Sequence, residues 1–364
     1  MMRIAIDCRM IGSGGIGSFI SELIPYFLTG NECLLLGSHE QCASFLNLPN
    51  VEFCFCNIPP FSLKEVFLFP QDILERINNY DYYFTPYCNI PGGINIPIFT
   101  TIHDVVFLDL KELTSFAGRF IRKMFYKRAI NYSDAIFTVS KFSKERIQYH
   151  LHPKKQIVIV YNSAPSYLKR PFEDGLPQKK DQILFVGNIK KHKGLKTLLD
   201  AYEIAAKNDK TFRSKLLIVG NAENFRTGDQ ETIKKIQALQ KENHDGEIKI
   251  EFTGKISNER LKYLYAESRY LVQPSLYEGF GIPPLEAMTV GTPAIISDIP
   301  VFKEIYSTFP VSFFKAGNAS DLAEKIIEMN KSVTDSFSLD KICDVYSYER
   351  SAKIICDTML NFKN

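Results

Sequence analysis

Tryptophan is missing from this chain of 364 residues, so its cores must be closed by aliphatic residues together with 28 phenylalanines and 18 tyrosines. Metal signatures are missing as well. The eight cysteines show no C-x-x-C spacing, the six histidines form no zinc-type cluster, and no two aspartates stand as D-x-D. No metal is expected. The formal net charge of +3 is too small to argue for a nucleic-acid partner, and the slight excess lies in the N-terminal half. No apolar run approaches the ~20 residues needed to span a bilayer. Cysteines in strand-like contexts such as Val51–Cys56 read as buried reduced thiols, and Met1–Asp7 already reads as a first strand. The expected compartment is the cytoplasm, with membrane contact at most peripheral.

The chain is long enough for two domains, and short apolar runs alternate with helical patterns throughout. Strands are expected at Arg3–Asp7, Glu32–Leu36, Val51–Cys56, Tyr82–Phe84, Ile98–Thr101, Ala135–Val139 and Ile157–Val160. After a polar, proline-bearing link, a second series runs Gln182–Val186, Lys215–Val219, Ile248–Phe252, Tyr270–Gln273, Ala294–Ser297 and Val311–Phe313. Helices fall between them, for example Lys193–Lys207 and Thr232–Glu242. The pattern predicts two parallel α/β domains, 1–168 and 182–345, joined by a linker at 169–181, with ligands at the carboxyl ends of the strands. A last helix in 346–364 either stays with the second domain or crosses back to the first.

The densest chemistry lies between Gln273 and Gly291. Glu278 and Glu286 flank a loop holding Gly279, Gly281, Pro283 and Pro284, with a strand before it and a proline-opened helix after it. Backbone N–H groups at such a junction favour an anion, whereas a carboxylate beside that anion is better suited to accepting hydrogen bonds from hydroxyls. Phosphate with hydroxyls suggests a nucleotide sugar. Gly187, Asn188, Lys190, Lys191, His192 and Lys193 follow a strand and lead into a helix, a cationic cradle fit for a diphosphate. Taken alone, the same stretch is also an ordinary solvated basic turn.

Three further features carry alternatives. Gly12-Ser-Gly14-Gly-Ile-Gly17 matches a dinucleotide fingerprint, but four residues separate it from the strand and no acidic residue ends a clear second strand. It reads equally as a glycine loop that lets backbone approach a phosphate, or as a plain turn. His103-Asp104 follows a strand, where the histidine is a substrate contact or a structural residue, with Asp104 an orienting partner or a cap. The segment 116–128 carries five cations and no acid, with Phe116, Phe120 and Met124 every fourth residue. It is either a helix that lies on anionic lipid or a core helix with a solvated face.

Taken in order, these residues resemble the retaining glycosyltransferase family 4 of GT-B fold, two Rossmann-like domains facing each other across a cleft. The E-x7-E signature is Glu278 to Glu286 with Gly-Phe-Gly-Ile-Pro-Pro-Leu inside it. The N-terminal glycine loop, His103-Asp104, Val139–Ser143, Gly220, Val290–Pro293 and Tyr346–Ala352 fall where that family has its motifs. The resemblance implies that Glu286 binds the donor ribose and Glu278 meets the transferred sugar. It also implies that Phe280, Gly281 and Ile282 offer amides to the donor, and that Lys193 neutralises the leaving phosphate. Gly14 and Gly15 would cover the diphosphate, His103 would bond the donor sugar, and base-selecting contacts would lie near Lys255 and Ile256. The family's arginine is Asn188 here, with Lys190 or His192 as substitutes, and its late tryptophan is Tyr348. The implied reaction is metal-independent transfer with retention, without cofactor. Mannosyl- or rhamnosyltransferases of bacterial polysaccharide or O-antigen synthesis are the nearest likeness. GDP-mannose is the favoured donor, then dTDP-rhamnose, with a glycan or polyprenyl-linked acceptor. Another GT-B enzyme, such as an epimerase or phosphorylase, and a non-catalytic partner subunit are the alternatives.

Overall fold

A computed structural model describes residues 1–220, 229–241, 249–331 and 346–362. Ile248, Glu242, Cys343, the segment 332–345 and the last two residues of the closing helical region lie outside the described residues. The chain forms two compact units, Met1–Asn162 with Tyr346–Asn364, and Ser163–Val345.

The first unit is built on strands β1 (Arg3–Asp7), β2 (Glu32–Gly37), β3 (Val51–Phe55), β4 (Tyr82–Thr85), β5 (Ile98–Thr101), β6 (Ala135–Thr138) and β7 (Ile157–Ile159). All pairings are parallel, in the order β3-β2-β1-β4-β5-β6-β7. The second unit holds β8 (Lys180–Val186), β9 (Lys215–Val219), β10 (Ile250–Gly254), β11 (Ser268–Gln273), β12 (Ala294–Ser297) and β13 (Val311–Phe314). They too are parallel, in the order β10-β9-β8-β11-β12-β13. Strands covered by helices on both faces read as continuous apolar runs, which is why Leu34–Leu36 and Ala294–Ile296 show no alternation. The strand order reverses between β1 and β4 and between β8 and β11, and ligands of doubly wound sheets bind at such switch points.

The helix Tyr348–Phe362 belongs to the first unit. Its Tyr348, Ala352, Ile355 and Met359 share a core with Phe19, Ile20 and Leu23 of the helix Gly14–Phe27, and Ser351 Oγ donates to the Tyr161 carbonyl at 2.7 Å. The second unit opens at Ser163, ahead of the expected linker. Leu168 is buried there, β8 already begins at Lys180, and Lys179 Nζ donates to the Ser268 carbonyl at 2.8 Å and to Thr292 Oγ1 at 2.6 Å. Much of 163–181 is therefore structure rather than spacer. The helix expected from Lys193 starts at Leu195, because Gly194 at φ +68° breaks the helical path. Seven described cysteines are free thiols, five of them buried. No described helix is long and apolar enough to cross a membrane.

Candidate functional site

In the second unit the loops after β8 and β11, which carry Gly187–Lys193 and Glu278, meet at the β8/β11 switch point. β8 runs into Gly187, whose N–H stays on the Val219 carbonyl at 2.9 Å, and then into the 3-10 turn Lys191–Lys193. This turn docks on the loop after β11 through Leu276 N–H, which donates to the His192 carbonyl at 2.8 Å. Gly194 is required between turn and helix: a Cβ there would lie 2.0 Å from the Pro274 carbonyl oxygen. The consequence is that Lys193 Nζ reaches Glu278, with 2.7 and 2.8 Å to its two carboxylate oxygens. Ser275 Oγ donates to the same carboxylate at 2.8 Å and is itself bonded by Gln273 Nε2 at 3.0 Å. Glu278 is only 8% exposed, so this lysine and this hydroxyl stand in for the water its carboxylate has lost.

Eight residues on, Glu286 sits in the helix Pro283–Thr289. Pro283 and Pro284 have no N–H, so amides offered at this end come from the loop residues Phe280, Gly281 and Ile282. Gly281 is at φ +79°, and a Cβ would meet the Phe302 ring at 2.3 Å; its carbonyl accepts from the buried Tyr306 hydroxyl. Tyr265 Oη donates to Glu286 at 2.5 Å. Removal from water pushes the half-buried Glu286 carboxyl up to about 7, and the Tyr265 bond opposes that rise. A carboxylate held this way has spare lone pairs for a ligand diol.

His192 is depressed to about 4, first by burial and then by Lys193, so it is neutral near pH 7. Its Nδ1 is buried without a partner among the described residues. Of the two stand-ins for the missing arginine, only the exposed Lys190 brings a charge. Lys255 is exposed and Ile256 half-buried on the loop after β10, ahead of the Ser257-capped helix Asn258–Glu267.

In the first unit, Gly14 and Gly15 open the Gly14–Phe27 helix in an exposed loop with nothing packed over them. His103 packs edge-on against Phe19 of the same helix at 4.9 Å, so histidine and glycine helix are brought together. Its Nε2 lies 3.0 Å from the Pro86 carbonyl, an acceptor only, which assigns the proton to Nε2 and makes Nδ1 an acceptor. Burial holds the ring down to about 4. It suits accepting a hydroxyl hydrogen bond more than carrying a proton. Asp104 Oδ1 accepts from Val106 N–H at 3.0 Å, which is capping.

One cluster is invisible in sequence. Arg9 is buried at the end of β1, with Nη2 at 2.5 Å from Asp7 and 2.6 Å from Glu65. Tyr83 and Tyr87 donate to Asp7 at 2.9 and 3.2 Å, and Tyr87 and Asn89 both bond Glu65. The only hint was the charged pair of Asp7-Cys-Arg9 directly after the apolar run Ile4–Ile6 of β1. Tyr265 was missed because it reaches Glu286 across 21 residues, and Ser275, three residues before Glu278, was read only as the end of a strand.

Two parallel, doubly wound sheets, with paired glutamates and a lysine at the second switch point, are the arrangement the resemblance to GT-B glycosyltransferases led one to expect. Residues 37–164 match Glycosyltransferase Family 4 and residues 168–338 match Glycosyl transferases group 1. The chain is 30% identical to the O-antigen chain mannosyltransferase B of Escherichia coli over 317 residues, covering 80% of each. It is also 30% identical to the O-antigen chain mannosyltransferase RfbU of Salmonella typhimurium over 241 residues, 64% of this chain and 60% of that protein. Among solved structures, sucrose-phosphate synthase from Thermosynechococcus elongatus superposes with a TM-score of 0.74 at 18% identity, covering 99% of both chains. Anabaena HepE in complex with UDP and glucose gives 0.73 at 15%, covering 99% of this chain and 100% of that one. The chain belongs to this glycosyltransferase family and is itself a glycosyltransferase.

Proposed function

We propose that the enzyme moves a hexose, mannose first and rhamnose second, from a nucleotide-diphosphate donor to a glycan or polyprenyl-linked acceptor, with retention and without a metal. The observation that carries this reading is the Lys193–Glu278–Ser275 constellation, one loop away from a desolvated Glu286. Glu286 accepts from the ribose hydroxyls, and the Gly281 and Ile282 amides meet the phosphates. Lys193 exchanges part of its contact with Glu278 for the leaving phosphate, and Glu278 then faces the positive charge that develops at the anomeric carbon. Tied by a lysine and a serine, Glu278 is poorly placed as a nucleophile, which favours attack from the face the phosphate leaves, with that phosphate accepting the acceptor's proton. His103 accepts a sugar hydroxyl through Nδ1. The mannosyltransferase relatives support GDP-mannose as donor, and the reduced thiols support a cytoplasmic setting with peripheral membrane contact through 116–128.

The test is a thermal-shift panel of GDP-mannose, dTDP-rhamnose, UDP-glucose, GDP and NAD(H) with EDTA present. A ligand at 100 times its Kd stabilises by about 2.7 kcal/mol. A shift with one nucleotide sugar and its nucleoside diphosphate supports the donor site and names the base. A response to NAD(H) alone refutes it.

A further inference from the structure

Gln273 is the last residue of β11, and its chemistry does not suit that place. The run Tyr270–Val272 before it is apolar and buried, and Gln273 itself is 0% exposed. Its carboxamide Nε2 donates to Ser275 Oγ at 3.0 Å, while its Oε1 is buried with no hydrogen-bond partner among the described residues. An orphaned buried carbonyl costs stability, which a methionine of similar shape would avoid. Native interiors satisfy nearly all their polar atoms, and an exception calls for a reason.

Hydrogen-bond arithmetic supplies one. A serine hydroxyl has one proton and two lone pairs. Gln273 Nε2 takes up a lone pair, so the proton is left for Glu278 Oε1, 2.8 Å away. Turned over, the amide would set its carbonyl against Ser275. A carbonyl only accepts, so it would draw that proton off Glu278. The serine has little freedom to compensate, because Pro274 fixes the backbone before it and the Ser297 hydroxyl donates to its carbonyl. The two oxygens of Glu278 are thereby unequal. Oε1 is held by Ser275 and by Lys193 at 2.7 Å, whereas Oε2 is held, among the described residues, by Lys193 alone at 2.8 Å.

We infer that Gln273 is a positioning residue for sugar transfer, acting through Ser275 to anchor Glu278 by Oε1 and to leave Oε2 as the oxygen that faces the anomeric carbon. When Lys193 turns to the leaving phosphate, Oε2 loses its partner and Oε1 keeps one. The carboxylate then stays aimed instead of swinging after the lysine. A charge fixed in advance is what stabilises a developing cation without reorganisation. This role rests on the proposed transfer, for which it names the orienting residue and the working oxygen.

The test compares the full chain with Gln273→Met, Ser275→Ala and the double variant, with GDP-mannose as the probe. Turnover is read as GDP released when water takes the mannose, and melting temperatures come from thermal shift. Gln273→Met should lower kcat about tenfold or more, the worth of one hydrogen bond to a charged group, with KM for GDP-mannose within about twofold of the parent. That split marks an interaction made in the transition state, and the variant should melt no lower than the parent. Ser275→Ala should lower kcat at least as far. Adding Gln273→Met to it should change kcat less than about twofold, because the amide then has no hydroxyl to direct. The same addition should raise the melting temperature, since alanine leaves Nε2 without an acceptor. Unchanged kcat in Gln273→Met overturns the role, and so does a further tenfold loss in the double variant. A kcat loss matched by a lowered melting temperature assigns Gln273 to packing instead. Equal turnover by parent and Gln273→Met sinks the positioning role alone. A parent that binds no GDP-mannose, or releases no GDP from it, sinks the proposed transfer and the role with it.

Discussion

Replacing Glu286 by glutamine should make the protein more stable and a worse enzyme, in a pH-dependent way that the structure specifies. The carboxyl is raised from its ordinary 4.5 to about 7 by burial. A raised acid holds its proton more tightly when folded, so this group's stabilisation is complete below about pH 4.5 and lost as pH rises through 7. At 1.36 kcal/mol per pKa unit the loss is about 3 kcal/mol, and partial exposure trims it to about 2–3 kcal/mol. Glutamine keeps the shape and can still accept the Tyr265 hydrogen bond, but it never ionises. Melting curves at pH 5 and pH 8.5 should therefore show little difference between variant and parent at the lower pH. At the higher pH the variant should melt about 4–12 °C above the parent, at the 2–4 °C per kcal/mol typical of a unit this size. Donor affinity should move the other way, about 10–100-fold weaker at pH 8, the worth of a charge-assisted hydrogen bond of ~1.5–3 kcal/mol. A stability gap that is the same at both pH values, or unchanged donor affinity, refutes the assignment.

Other variants divide structure from chemistry. Tyr265→Phe removes the bond that holds the Glu286 carboxyl down, so the pH midpoint of donor KM should move upward, which a pH series of KM values checks. Lys193→Met strands the buried Glu278 and should cost about 3 kcal/mol in denaturant unfolding. The double variant Lys193→Met/Glu278→Gln should recover most of that stability while kcat stays low, and recovery of turnover would mean the pair is merely structural. Gly194→Ala forces a Cβ to 2.0 Å from the Pro274 carbonyl and should destabilise by several-fold more than the ~1 kcal/mol of an average substitution, seen as a lowered urea midpoint. Transfer activity should persist in EDTA, measured as sugar incorporation against a magnesium-supplemented control.

Sequence was sufficient for what is local and periodic. Apolar runs alternating with helical patterns marked the strands, and glycine and proline punctuation placed Glu278 and Glu286 on either side of a strand-to-helix loop. These are properties of neighbouring residues, set by backbone sterics and burial, so they survive in one dimension. The family motifs were legible for the same reason. Tertiary structure alone decided the rest. The strand order that puts β8 beside β11 brings Lys193 onto a carboxylate 85 residues away, and sets Tyr265 on Glu286 across 21. It turned the stripe of Phe116, Phe120 and Met124 outward, a choice between core and surface that periodicity could not make. It also closed Asp7, Arg9, Glu65, Tyr83 and Tyr87 into one buried cluster. The physical reason is common to all of these: a charge or an apolar face takes its meaning from the partner it meets, and the partners are chosen by how the sheets are wound.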